Sequence, residues 1–180
     1  MALVSLKLRE ALRDRSVRDP LTRLFNRRYL EETLNRELSS CKRADQPLGV
    51  IMIDVDHFKK YNDTHGHDTG DYVLVQIADI VRSKLRAGDT PCRYGGEELV
   101  LLMPGAPKEI AAARAESVRA AVEKHELVYK DKALTGVTVS LGVAGFPGDG
   151  NTAAAVLKAA DSALYVAKQS GRNRVVISGV

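Results

Sequence analysis

The sequence contains no tryptophan, and six tyrosines and three phenylalanines bring aromatics to only 5% of its 180 residues. A stacking platform for single-stranded nucleic acid is therefore not expected. Cysteine is equally scarce. Cys41 and Cys92 stand far apart without a paired spacing, which excludes a zinc knuckle or a disulfide framework and fits a reducing, cytoplasmic setting. No apolar run approaches the ~18–20 residues of a membrane span. Residues 1–12 carry Lys7, Arg9 and Glu10 without a small-residue cleavage site, unlike a secretory signal. Internal repeats and low-complexity tracts are also missing.

What remains is a chain with 44% hydrophobic and 28% charged residues, enough to bury one sizeable core and stay in solution. The balance of 27 basic against 23 acidic residues leaves a net charge of +4. That favours anionic ligands mildly and implies neither nucleic acid nor direct membrane contact.

Residues 1–17 read as a mostly solvated helix, either a terminal appendage or the end of a coupling linker from an upstream sensor. Asp19-Pro20 interrupts it, because proline disfavours helix in the residue before it. The domain proper is expected over 18–178. Tyr29, Leu30, Leu34 and Leu38 share one face of a helix over 26–41. The run Leu48-Gly49-Val50-Ile51-Met52-Ile53 predicts a strand buried on both faces. Helices follow over 69–85, 110–122 and 153–168. Strands are expected over 91–93, 99–103, 137–144 and 175–177, the first two joined by a Gly95-Gly96 turn. This order predicts an α/β (α+β) fold with a mixed, mainly antiparallel sheet flanked by helices.

The chemistry concentrates at the ends of these strands. Asp54 and Asp56 close the buried run and, at positions i and i+2, are expected to point the same way. Ionised carboxylates beside an apolar strand need a cation or hydrogen bonds. Asp56 has a second reading, as a cap for a helix starting near His57. Glu97 and Glu98 follow the paired glycines. If that hairpin lies beside the first strand, three or four carboxylates converge, an oxygen-only set suited to Mg²⁺ completed by substrate phosphates. Asn62 and Asp71 have two readings, as helix caps or as readers of a guanine edge, the acid accepting from N1–H and N2–H₂ and the amide donating to O6. Lys168 and Arg172 either complement a helix C-terminus or bind phosphate. His65 and His67 lack a third nitrogen or sulfur ligand nearby, so zinc is not expected.

Four runs, RDPLTRLFNRR (18–28), IDVDHFKKYNDTHGHDTGD (53–71), RYGGEEL (93–99) and ALYVAKQSGRNRV (163–175), together resemble the GGDEF-domain diguanylate cyclases in a GGEEL variant. The resemblance extends over nearly the whole chain. It implies condensation of two GTP molecules into cyclic di-GMP and two pyrophosphates across a homodimer. It also implies a fold similar to the nucleotidyl cyclases and the polymerase palm, with a ferredoxin-like core, and an upstream sensor. By the same resemblance Asp54, the Val55 carbonyl, Glu97 and Glu98 hold two Mg²⁺ ions, for which Mn²⁺ can substitute. Glu97, Glu98 and Lys59 are the catalytic set. Phe58, Asn62, His67, Asp71, Lys168 and Arg172 contact substrate. Arg86 and Asp89, an Arg-x-x-Asp ahead of the glycine turn, match an inhibitory site for the product, with Arg114 or Arg119 as a candidate second arginine. Leu99 stands where the family name has Phe, and Glu97 where it has Asp.

Overall fold

The computed structural model describes residues 17–179. The expected helix over 1–17 thus lies almost wholly outside the described residues. Helix α1 (Arg27–Ala44) opens on Asn26, whose side-chain oxygen accepts from the Tyr29 N–H at 3.0 Å, satisfying one of the free amides of the first turn. Lys42 and Arg43 in its last turn complement the helix dipole. It closes on Asp45 in the left-handed region.

The first strand, β1 (Leu48–Val55), is buried along its whole length. Helices α2 (Phe58–His65) and α3 (His67–Ser83) follow, broken by Gly66 at φ +85°. Then come β2 (Thr90–Arg93), β3 (Glu98–Pro104), α4 (Lys108–Glu123), the short pair β4 (Val128–Tyr129) and β5 (Lys132–Ala133), β6 (Val139–Phe146), α5 (Ala153–Gln169) and β7 (Val175–Ile177). The main sheet runs β2-β3-β1-β6-β7; only β6 and β7 are parallel. The mixed, mainly antiparallel sheet is therefore as expected.

Strand alternation builds two cores, one on each face. Ile51, Ile53 and Val55 of β1 join Leu99, Leu101 and Met103 of β3 beneath α2, α3 and α4. Val50 and Met52 join Val100 and Leu102 against α1 and α5. Each fully buried leucine contributes about 2 kcal/mol, and Leu30, Leu34, Leu101 and Leu102 are all at 0% exposure. At Gly142 a Cβ would lie 2.1 Å from the Ala160 carbonyl oxygen, so only glycine lets β6 approach α5 this closely.

The β4–β5 hairpin was not foreseen. Its turn residues Lys130 and Asp131 both have positive φ, but no glycine marks the turn in the sequence.

Candidate active site

Antiparallel pairing places Asp54 of β1 opposite Glu98 of β3, and the Val55 N–H reaches the Glu97 carbonyl at 3.4 Å. The glycine turn and the end of the buried strand are thus one structural corner. A cavity of about 380 Å³ opens there, lined by Asp54, Val55, Phe58, Lys59, Glu97, Lys168 and Arg172, with His57, Lys60 and Asp63 completing the wall. The first seven of these were expected from sequence; the other three were not.

Asp54 is buried, and the Lys168 ammonium lies 2.8 Å from its Oδ2. Burial nevertheless lifts the Asp54 carboxyl above its usual range, against the pull of Lys168. Burial and the neighbouring Asp54 charge raise Glu97 in the same direction. Two acids that resist ionisation in one cavity are a costly arrangement and mark a functional corner. Helix α2 starts at the same wall with no side-chain cap at His57, so its N-terminal amides add positive potential.

Among the described residues no three His, Cys, Asp or Glu side chains converge as a self-sufficient metal cage. The donors present do fit Mg²⁺, which is commonly held by one or two carboxylates and finished by substrate phosphates and water. Asp54, Glu97 and the Val55 carbonyl are oxygen donors only, and Lys168 and Arg172 place two cations in the same wall.

Asn62 lies on α2, with its Oδ1 buried and without a hydrogen-bond partner. That oxygen is 1.8 Å from where a Cβ on residue 70 would stand, so Gly70 is what lets α3 close onto α2. The buried oxygen leaves the amide N–H group as the part of Asn62 able to meet a ligand. The next residue, Asp71, is exposed, as is His67 at the start of α3. None of the three lines the acidic cavity; they stand on the helix pair beside it.

The family described as diguanylate cyclase, GGDEF domain, matches residues 16–174. The chain belongs to that family. Response regulator PleD of Caulobacter vibrioides is 44% identical over 162 residues, covering 89% of this chain and 36% of PleD. Diguanylate cyclase A of Treponema denticola is 39% identical over 163 residues, covering 89% of this chain and 44% of that protein. The chain thus spans well under half the length of these curated relatives. The crystal structure of the GGDEF domain of DgcB from Caulobacter crescentus, in complex with c-di-GMP, aligns with a TM-score of 0.86. Its identity is 33%, covering 92% of this chain and 94% of that one. The fold is that of the GGDEF cyclases, and the family is generally dependent on divalent metals.

Several residues in this GGDEF domain sit differently from expectation. Asp56 does not point into the cavity with Asp54, nor does it cap α2. Its Oδ2 accepts from the Thr138 hydroxyl at 2.7 Å and the Asn173 N–H at 3.0 Å, and its Oδ1 from the Ser140 hydroxyl at 2.7 Å. Glu98 packs over Gly95 and does not line the cavity. Asp89 has a fully buried side chain. Its oxygens accept from the Arg86 backbone N–H at 3.1 Å and the Arg86 Nε–H at 3.0 Å, so it orients Arg86 and cannot itself meet guanine nitrogens in this arrangement. Arg86 is half exposed and also donates to the Pro104 carbonyl. Arg119 is occupied by Glu116, Glu123 and Asn173.

A further network went unread in the sequence. Asp19 accepts from the Thr22 N–H and hydroxyl, and from Arg93. Arg93 in turn donates to the Gly96 carbonyl at 2.7 Å. The signal was available in Asp19 and Thr22, three residues apart after a helix break, a common local hydrogen-bonding pattern.

Proposed function

We propose that this domain condenses two GTP molecules into cyclic di-GMP, with each subunit of a homodimer presenting one nucleotide. The observation that carries this reading is a single cavity in which Asp54 and Glu97 face Lys168 and Arg172. Acids and cations together suit a metal-bound triphosphate, and a substrate carrying no metal would leave the acids repelling it.

In this reading the triphosphate enters the cavity, where Lys168, Arg172 and Lys59 meet its oxygens and the first amides of α2 add to the attraction. Phe58 supports the same wall. The guanine lies along α2 and α3, where the Asn62 amide donates to O6, Asp71 accepts from N1–H and N2–H₂, and His67 touches the nucleotide. Two Mg²⁺ ions on Asp54, the Val55 carbonyl and Glu97 would neutralise phosphate charge as the bond to pyrophosphate breaks, with Mn²⁺ as a substitute. Glu97, or a water it orients, takes the 3′-hydroxyl proton. The 3′-oxygen of one GTP forms its bond to the α-phosphorus of the other while pyrophosphate departs. The same exchange in the opposite sense closes the ring, so two pyrophosphates leave for each product.

Product arrest is the regulatory part of this reading. Arg86, held by Asp89, offers a half-exposed guanidinium that suits a phosphate or the Hoogsteen edge of guanine.

The test is turnover of GTP with Mg²⁺, followed by chromatography, for wild type and Glu97→Gln at high protein concentration. Cyclic di-GMP from the wild type alone is the expected result. If neither protein makes product, the catalytic reading fails and a receptor for cyclic di-GMP through Arg86 takes its place.

A further inference from the structure

The loop between α5 and β7 delivers Arg172 to the cavity through an unusual backbone. Gly171, Arg172 and Asn173 have φ of 109°, 60° and 46° in succession. Two consecutive non-glycine residues in the left-handed region persist only where their surroundings hold them.

Here the hold is explicit. The Arg172 N–H donates to the Ala167 carbonyl at 3.0 Å, and the Asn173 N–H donates to the buried Asp56 at 3.0 Å. On the opposite side the Asn173 Oδ1 accepts from Arg119 at 2.8 Å, and its Nδ2–H donates to Glu123 at 2.7 Å. Arg119 is itself mostly buried and ion-paired with Glu123 at 2.9 Å. Asn173 is thus gripped from α4 through its side chain and from the end of β1 through its backbone.

Resting on the GTP reading above, we propose that Asn173, Arg119, Glu123 and Asp56 form a positioning clamp that fixes Arg172 against the triphosphate. None of the four lines the acidic cavity, and all act through the arginine. Arg119 therefore has a task within its own subunit and is not a free second arginine for product binding. The clamp also joins α4, on one face of the sheet, to the corner where Asp54 meets Glu97.

The experiment measures the dissociation constant of 3′-deoxyguanosine triphosphate with Mg²⁺, a nucleotide that lacks the attacking hydroxyl and is not consumed. The proteins are wild type, Arg119→Ala, Asn173→Asp, Arg172→Ala and the two doubles with Arg172→Ala, each with its thermal midpoint. Asn173→Asp keeps the side-chain volume and loses the amide donor to Glu123, so it guards against a folding failure in Arg119→Ala. Either clamp variant is expected to weaken binding about tenfold, and neither to add to the loss in Arg172→Ala. Arg119→Lys should restore part of the affinity. Unchanged binding in both clamp variants, or losses that add to Arg172→Ala, would overturn the clamp alone. A wild type that does not bind the nucleotide removes the GTP reading and the clamp with it.

Discussion

The Arg93 guanidinium lies 3.1 Å from the Asp19 carboxylate, joining residues 74 positions apart, and its other arm holds the Gly96 carbonyl. The chain entering the domain is thereby tied to the turn that carries Glu97. Burial pushes the Asp19 carboxyl up, but the Thr22 N–H, the Thr22 hydroxyl and Arg93 together bring it below the usual carboxylate range. A carboxyl depressed in the fold stabilises it fully above the unfolded pKa, and that contribution disappears as pH falls through the folded value. Asp19→Asn is expected to cost about 2 kcal/mol at neutral pH, with the gap to wild type shrinking in acid. Denaturant titrations at neutral and acidic pH check this; an equal gap at both would remove the ion pair as its cause.

Asp54 presents the opposite sign. Burial raises its carboxyl, so at neutral pH its ionised form opposes folding, and Lys168 offsets only part of that. Asp54→Asn should reduce activity at least about 100-fold while leaving the thermal midpoint unchanged or raised, the usual trade of stability for function. Lys168 has its side chain 31% exposed and can turn to water when its partner is neutral. A midpoint lowered by more than about 4 °C would show that the pair is a net stabiliser.

Gly142 tests how α5 is placed. A methyl there would stand 2.1 Å from the Ala160 oxygen and 2.3 Å from the Leu164 nitrogen, both backbone atoms that cannot swing aside. Gly142→Ala should destabilise by about 3 kcal/mol and depress activity, because Lys168 lies one turn beyond Leu164. Gly148→Ala is the control, since its nearest neighbour would be 3.9 Å away. Equal stability of the two variants by denaturation would contradict this packing.

The proposed reading assigns guanine selection to Asp71, which is exposed and so can be changed without disturbing the core. Inosine triphosphate lacks the 2-amino group that this acid is proposed to accept from. Wild type should prefer GTP, and Asp71→Asn should narrow the ratio of kcat/KM values about tenfold. An unchanged ratio would assign base recognition elsewhere.

Much of this corner was legible before any coordinates, for physical reasons. The short, unbroken apolar run of β1 suits a strand buried on both faces, and a glycine turn followed by acids becomes a candidate site once that strand is its neighbour. Helical spacing located α1, α3, α4 and α5 to within a few residues. What escaped was long-range. Nothing local says that Asp56 accepts from Thr138 and Ser140, more than eighty positions away, or that Asn173 is held by α4. Asp89 shows the same limit: the sequence places Arg86 and Asp89 together but not the burial that turns the acid inward. Asp56 lies past Val55, the last residue of β1, and its carboxylate is taken up by the hydroxyl of Ser140, the residue that pairs with Asp54, so it stays out of the cavity wall.

The number of nucleotides decides the last prediction. Among the described residues one chain offers one corner of acids and cations and one Asn62–Gly70 contact beside it, whereas cyclic di-GMP contains two guanines and two 3′–5′ linkages. In the proposed homodimer a 3′-oxygen held on one subunit reaches an α-phosphorus held on the other, which makes the reaction second order in domain. Initial rate per subunit should therefore climb with protein concentration and level off only when dimers saturate. Mixing an excess of Glu97→Gln subunits with wild type should poison activity, because each mixed dimer pairs an intact half-site with an inactive one. A rate per subunit that stays flat on dilution, together with no poisoning, would place both nucleotides on one chain and overturn the two-subunit site.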